Sequence, residues 1–278
     1  MKETIQKLRA SLVPIYGKGE AEAIIRLIFH YVKGWNLTDM LIHQDDDLSD
    51  FVKGEIDGIL QRLLNYEPIQ YIVGEARFHG MNLKVRPGVL IPRPETEELV
   101  DIIIDDNKDR EDLKVLDLCT GSGCIALALA RNLPFSKVTA VDFSDDAVEV
   151  AQENSDLLKT RINVVKADIF GWEPADKFDI IVSNPPYVMD SEAMTMEKNV
   201  LNYEPHDALF VRDDDPLVFY SRIEDIAKKS LKENGRLYFE INPLTAGSLK
   251  KLIESKGFDN VTLLRDSSGK QRFLSASV

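Results

Sequence analysis

Over the first 66 residues the apolar positions return every three or four places. Ile5, Leu8 and Leu12 fall on one helical face, and Ala23, Ile24, Leu27, Ile28 and Val32 continue the spacing. Ser49 stands as an N-cap before a helix carrying Phe51, Ile56, Leu60, Leu63 and Leu64. The spacing therefore predicts a small helical bundle. At residue 67 the texture changes. Short alternating runs on either side of Gly80, Arg77-Phe78 and Met81 to Val85, predict a β-hairpin. Two prolines punctuate Ile91-Pro92-Arg93-Pro94-Glu95-Thr96-Glu97, and Thr96 has the character of a cap for a helix from Glu98 to Ile104.

From about residue 114, strand-like and helix-like patterns alternate. Strands are predicted at Val115–Cys119, Val138–Asp142, Ile162–Asp168, Phe178–Ser183, Arg236–Ile241, Val261–Leu264 and Phe273–Ser277. Helices are predicted from Ile125, from near Asp145, over Leu217–Leu231 and over Ala246–Ser255. This alternation gives an α/β class: a doubly wound, Rossmann-like parallel sheet with helices on both faces and an antiparallel C-terminal edge. Three parts are expected, a helical domain over 1–70, a β-hairpin linker over 71–91 and a sheet domain over 92–278.

Chemistry concentrates at two strand ends. After the first sheet strand comes Cys119-Thr120-Gly121-Ser122-Gly123, then a helix. Glycines allow a sharp turn and close backbone approach, and a helix N-terminus presents free N–H groups. Asp142 ends the next strand, where a carboxylate can accept from the two hydroxyls of a ribose. Gly121, Gly123 and Ala126 also satisfy a dinucleotide pattern, so this loop alone permits NAD or S-adenosyl-L-methionine. The second strand end decides. Asn184-Pro185-Pro186-Tyr187 follows the apolar run Phe178–Ser183. Asn184 supplies a side-chain acceptor, Pro185 a stiff backbone with a carbonyl, and Tyr187 a flat face. Together they suit a planar –NH2 group.

Charge and cysteine usage narrow the partners. The 278 residues carry a formal net charge of −13 with no long Lys/Arg run, so direct nucleic-acid binding is not expected. No apolar run reaches membrane-spanning length, and no signal peptide is apparent. The two cysteines, Cys119 and Cys124, flank the glycine loop and read as buried reduced residues of a cytoplasmic protein. His30, His43, His79 and His206 form no metal-spaced cluster.

An Asn-Pro-Pro-Tyr motif downstream of a glycine loop resembles the S-adenosylmethionine-dependent amino methyltransferases. The helical N-terminal region, Glu67-Pro68-Ile69-Gln70-Tyr71-Ile72-Val73-Gly74 and Arg93-Pro94-Glu95-Thr96-Glu97 narrow this to the peptide chain release factor glutamine N5-methyltransferases, the PrmC/HemK family. The resemblance implies a class I methyltransferase fold. It implies methylation of the glutamine in the Gly-Gly-Gln motif of release factors, by a monomer whose helical domain helps hold that protein. It places the methionine part of the cofactor on Cys119–Gly123, the ribose on Asp142 and the adenine near Asp168. Asn184 to Tyr187 would hold the glutamine amide. Cys119 stands where many relatives have glycine, and Ile169 where some have an aromatic, which leaves Phe143 as the candidate aromatic face. Two other readings stay open: an adenine N6 methyltransferase, and a non-enzymatic adenosine-cofactor module that leaves the Asn-Pro-Pro-Tyr motif unexplained.

Overall fold

The computed structural model describes residues 1–278. Contacts divide the chain into two units, Met1–Glu75 with Glu197–Tyr203, and Ala76–Met196 with Glu204–Val278.

The first unit contains α1 (Lys2–Lys33), α2 (Leu37–Ile42), α3 (Asp50–Leu64) and α4 (Ile69–Val73). Gly17, at φ 73° and ψ 167°, interrupts α1 in a conformation that side chains with a Cβ rarely adopt. Leu8, Leu12, Ile25, Ile28, Phe29, Ile56, Leu60 and Leu63 form the core. Ser49 caps α3 as expected, accepting from the Val52 N–H at 3.3 Å. Two expected core positions are solvent-facing. Leu27 is exposed because the buried stripe runs through Ala21, Ile24, Ile25, Ile28 and Phe29, and Phe51 is exposed in the first turn of α3. The short helix Lys198–Tyr203 folds with this unit despite its distance in sequence. Its Tyr203 hydroxyl donates to the Asn65 carbonyl at 2.9 Å, and the Lys198 ammonium lies 4.8 Å from the centre of the Tyr66 ring.

In the second part of the chain, β1 (Glu75–Phe78) and β2 (Met81–Lys84) make the predicted hairpin. Phe78, Met81 and Leu83 are buried in the same core as Leu99 and Ile103. There follow α5 (Pro94–Asn107), β3 (Lys114–Leu118), α6 (Cys124–Asn132), β4 (Lys137–Asp142), α7 (Asp145–Leu157), β5 (Asn163–Lys166) and β6 (Phe178–Ser183). The chain continues through β7 (Val188–Met189), α8 (Lys198–Tyr203), β8 (Phe210–Val211), α9 (Val218–Ser230), β9 (Leu231–Glu240), α10 (Ala246–Ser255), β10 (Asp259–Arg265) and β11 (Gln271–Ser277). Proline at the first position of α5 starts that helix two residues before Thr96. Thr96 is therefore inside the helix and not its cap.

Seven strands form one sheet in the order β10-β11-β9-β6-β3-β4-β5. β5, β4, β3, β6 and β9 are parallel, and β11 runs antiparallel between β9 and β10. Alternate residues serve opposite faces. Val115, Ile180 and Val182 pack with α5 and α6, whereas Leu116, Leu118 and Ile181 pack with α9 and α10. Strands β4 and β5 lie on one side of β3, and the chain then crosses to place β6 on the other. That reversal opens a crevice beyond the carboxyl ends of β3 and β6.

Candidate active site

The loop after β3 is held in a conformation that its glycines anticipate and Cys119 does not. Cys119, Gly121 and Gly123 all have positive φ, at 61°, 55° and 80°. A Cβ at Gly123 would lie 3.2 Å from the Ala151 Cβ, so glycine there also permits close packing of α7. Two carboxylates brace the turn. Asp117 Oδ2 accepts from the Thr120 hydroxyl at 2.6 Å and from the Ala126 N–H at 3.2 Å, while its Oδ1 is buried without a partner. Burial pushes the Asp117 carboxyl up to about 7. Asp142 Oδ2 accepts from the Gly121 N–H at 2.9 Å and Oδ1 from the Ser144 N–H at 3.0 Å. Burial also raises the Asp142 carboxyl, although these N–H groups work in the opposite direction. Each of its oxygens retains a lone pair for a ligand hydroxyl.

Both cysteines are free. Burial, followed by the nearby Asp142 charge, pushes the Cys119 thiol up, and burial pushes Cys124 up to about 12. Neither forms a thiolate near neutral pH, so both behave as small apolar fillers of the loop.

A cleft of about 1110 Å³, its open mouth included, lies over these strand ends. Cys119, Thr120, Gly121, Ser122, Asp142, Phe143, Asp168, Ile169, Asn184 and Pro186 are on its wall. The charged side chains there are Asp142, Asp168, Asp207 and Arg93. Arg93 is already paired, with Nη2 2.5 Å from Glu204 Oε1, and Glu204 Oε2 accepts from the Ile91 N–H at 3.2 Å. The wall is thus acidic with apolar panels. Such a wall suits a cationic ligand, and a pyrophosphate would face carboxylates.

Next to the cleft is a pocket of about 290 Å³ lined by Leu90, Arg93, Asn184, Pro185, Tyr187, Val188 and Glu240, among others. Asn184 borders both spaces. Its Nδ2 donates to the Thr96 Oγ1 at 3.3 Å, and Thr96 donates to Glu240 Oε2 at 2.6 Å. Glu240 Oε1 accepts from the Tyr187 hydroxyl at 2.9 Å. Burial and the Glu240 charge hold the Tyr187 phenol well above its usual range, which keeps it a donor. The strand end therefore carries a carboxamide whose Oδ1 is turned away from Thr96, at the junction of a cofactor-sized cleft and a small pocket.

Comparison with known proteins identifies the family. Residues 3–74 match the PrmC N-terminal domain and residues 96–203 the methyltransferase small domain. The release factor glutamine methyltransferase of Bacteroides thetaiotaomicron is 43% identical over 97% of this chain and 97% of its own. The chain belongs to the release factor glutamine methyltransferase family. The enzyme of that name from Flavobacterium psychrophilum is 42% identical over 95% of this chain and 94% of its own. Among solved structures, the T. thermophilus 16S rRNA N2 G1207 methyltransferase, in complex with AdoMet and guanosine, shares the fold. It has a TM-score of 0.54 at 20% identity, covering 73% of this chain and 49% of that one.

Within this family member the cleft gathers most of the anticipated residues but not all. Gly123 stands off the wall as the N-cap position of α6. Pro185 and Tyr187 face the smaller pocket and not the cleft. Phe143 is half exposed at the cleft, and Phe219, which the pattern treated only as helix, joins the wall with its ring packed edge-on against Phe170 at 5.3 Å. Thr96, Glu204 and Glu240 were not singled out for chemistry. Glu240 left one signal, an acidic residue closing the otherwise apolar run Leu237-Tyr238-Phe239.

Proposed function

We propose that the protein transfers a methyl group from S-adenosyl-L-methionine to the side-chain amide nitrogen, N5, of the glutamine in the Gly-Gly-Gln motif of peptide chain release factors. The observation that carries this reading is the place of Asn184, which borders both the cleft and the pocket and whose Nδ2 end is the one bonded to Thr96.

In this reading the cleft takes the cofactor. The loop Cys119–Gly123 holds its methionine part, Asp142 accepts from the ribose, and Asp168 and Ile169 meet the adenine with Phe143 or Phe219 beside it. The acidic wall suits a ligand carrying a sulfonium and an ammonium group. When bound, S-adenosylmethionine supplies an electrophilic methyl carbon. The protein supplies alignment. An amide nitrogen is a weak nucleophile because its lone pair is shared with the carbonyl. Asn184 Oδ1 and the Pro185 carbonyl accept the two N–H groups, which turns the nitrogen lone pair toward the cleft. Positive charge grows on the –NH2 as it is alkylated, and the two acceptors stabilise that charge. Positioning of this kind is worth about 7–11 kcal/mol in well-oriented cases. The cation formed first, an N-methylamide still carrying both N–H bonds, is strongly acidic, so it gives one proton to water without a dedicated base. Pro186 and Tyr187 shape the pocket around the amide.

The helical unit, residues 1–70 in the sequence reading, serves to dock the release factor. It carries no glycine loop. The net charge of −13 supports a protein substrate over DNA or RNA. The test offers tritiated S-adenosylmethionine with a release factor, with DNA and with rRNA. Label is expected on the release factor and is lost when its Gly-Gly-Gln glutamine is replaced. Label on adenine would favour the nucleic-acid reading instead.

A further inference from the structure

The geometry points to Thr96 and Glu240 as positioning residues that decide which end of the Asn184 carboxamide faces the reacting nitrogen. This rests on the reading of Asn184 as an acceptor for a substrate amide.

A carboxamide has two ends of nearly equal size and opposite hydrogen-bonding sense. Rotated by half a turn, Asn184 would aim an –NH2 at the substrate –NH2. Two donors would then face each other, and the nitrogen would lose one of its holders. Nothing in Asn184 itself prevents that rotation. Thr96 does, through a chain of hydrogen bonds that runs only one way. A carboxylate accepts and cannot donate. Burial raises the Glu240 carboxyl, but both of its oxygens are occupied as acceptors, Oε2 by the Thr96 hydroxyl at 2.6 Å and Oε1 by the Tyr187 hydroxyl at 2.9 Å, so Oε2 takes the single Thr96 hydrogen. Only lone pairs remain on Thr96 Oγ1, so its contact with Asn184 at 3.3 Å must be to the –NH2 end. Oδ1 is left for the ligand.

Burial makes the selection strict. Thr96 is 2% exposed and Glu240 1%, so solvent does not compete for the hydrogen they share. The second Glu240 oxygen takes the Tyr187 hydroxyl at 2.9 Å. One buried carboxylate thus holds Tyr187 directly and Asn184 through Thr96, from a strand, β9, that borders β6. A purely structural tie between α5 and β9 would need no such direction.

The test uses the full-length protein with Thr96→Val, Thr96→Ser and Glu240→Gln. Thr96→Val keeps the shape and removes the hydroxyl. Its kcat for release-factor methylation should fall roughly 10–100-fold, the scale seen when an outer partner orienting a metal ligand is removed. KM and cofactor affinity should move by less than about threefold, because valine keeps the shape of a cleft-wall side chain that is only 2% exposed and Asn184 keeps its Oδ1. Thr96→Ser should restore kcat. Glu240→Gln can turn a donor toward Thr96 and free its hydrogen to face Asn184, so it should lower kcat as well. The double variant Thr96→Val/Glu240→Gln should be little worse than either single change. A Val variant with kcat within about threefold of wild type, or a Ser variant as impaired as Val, overturns the inference.

A readout independent of substrate is the pair of Asn184 side-chain –NH2 resonances, assigned by their loss in Asn184→Ala. They should shift in Thr96→Val and return in Thr96→Ser. Unshifted resonances overturn the positioning role even in an active enzyme. Failure of the wild-type protein to label a release factor overturns the proposed function instead, and leaves the resonances to decide the positioning role.

Discussion

Replacing Asn184 by alanine separates catalysis from folding. On the folded side the loss is small. Asn184 makes one side-chain hydrogen bond, at 3.3 Å to Thr96, and Thr96 keeps its own donation to Glu240 at 2.6 Å. A single long neutral hydrogen bond is worth about 0.5–1.5 kcal/mol, so stability should fall by no more than that. On the catalytic side the proposed function makes the loss larger, because Oδ1 would be one of two acceptors for charge that develops during transfer. Removing one such preorganised partner costs about 10²–10³ in rate, or about 2.7–4 kcal/mol. Cofactor affinity should drop by less, since the loop and Asp142 are untouched. The assay is single-turnover methylation of a release factor with saturating cofactor, run beside calorimetric cofactor titration and urea unfolding. A rate within about threefold of wild type would reduce the Asn-Pro-Pro-Tyr segment to a turn and remove the main support of the functional reading.

Asp142→Ala should weaken cofactor binding by about 1–3 kcal/mol in calorimetry, and should also destabilise the ligand-free protein because the Gly121 and Ser144 N–H groups lose their acceptor. Asn154→Ala should lower the unfolding free energy by about 3 kcal/mol in urea titration, since its buried side chain makes three hydrogen bonds, two to the Lys84 backbone and one to the Ser122 carbonyl. The Asp117 carboxyl is raised by burial to about 7 in the fold, so its favourable contribution is full below the unfolded value near 4 and is lost as pH rises through about 7. The stability of the ligand-free protein, followed as its thermal midpoint, should therefore decline between about pH 4 and pH 7, by about 4 kcal/mol at most over that window, and Asp117→Asn should flatten that component. A midpoint that rises over the same interval in wild type, or an unchanged slope in the variant, contradicts the assignment.

Much of this protein was legible in one dimension because its signals are local. Strand Phe178–Ser183 and helix Ala246–Ser255 fall where the pattern placed them, since period and flanking residues report a buried face directly. The glycine loop, Asp142 and the Asn-Pro-Pro-Tyr segment are contiguous stretches at strand ends, and a doubly wound sheet brings strand ends together by its topology alone. What the sequence could not show is what those residues lean on. Asn184 meets Thr96 across 88 positions and Thr96 meets Glu240 across 144, so their partnership depends on how α5, β6 and β9 pack. Read locally, Thr96 is a cap and Glu240 one residue within the strand Arg236–Ile241. The segment Glu197–Tyr203 makes the same point, because it lies within the catalytic half of the sequence yet folds with the helical unit. Hydrophobic period records whether a side chain is buried. The identity of its polar partner is settled only when distant elements close around it and each buried donor must find an acceptor.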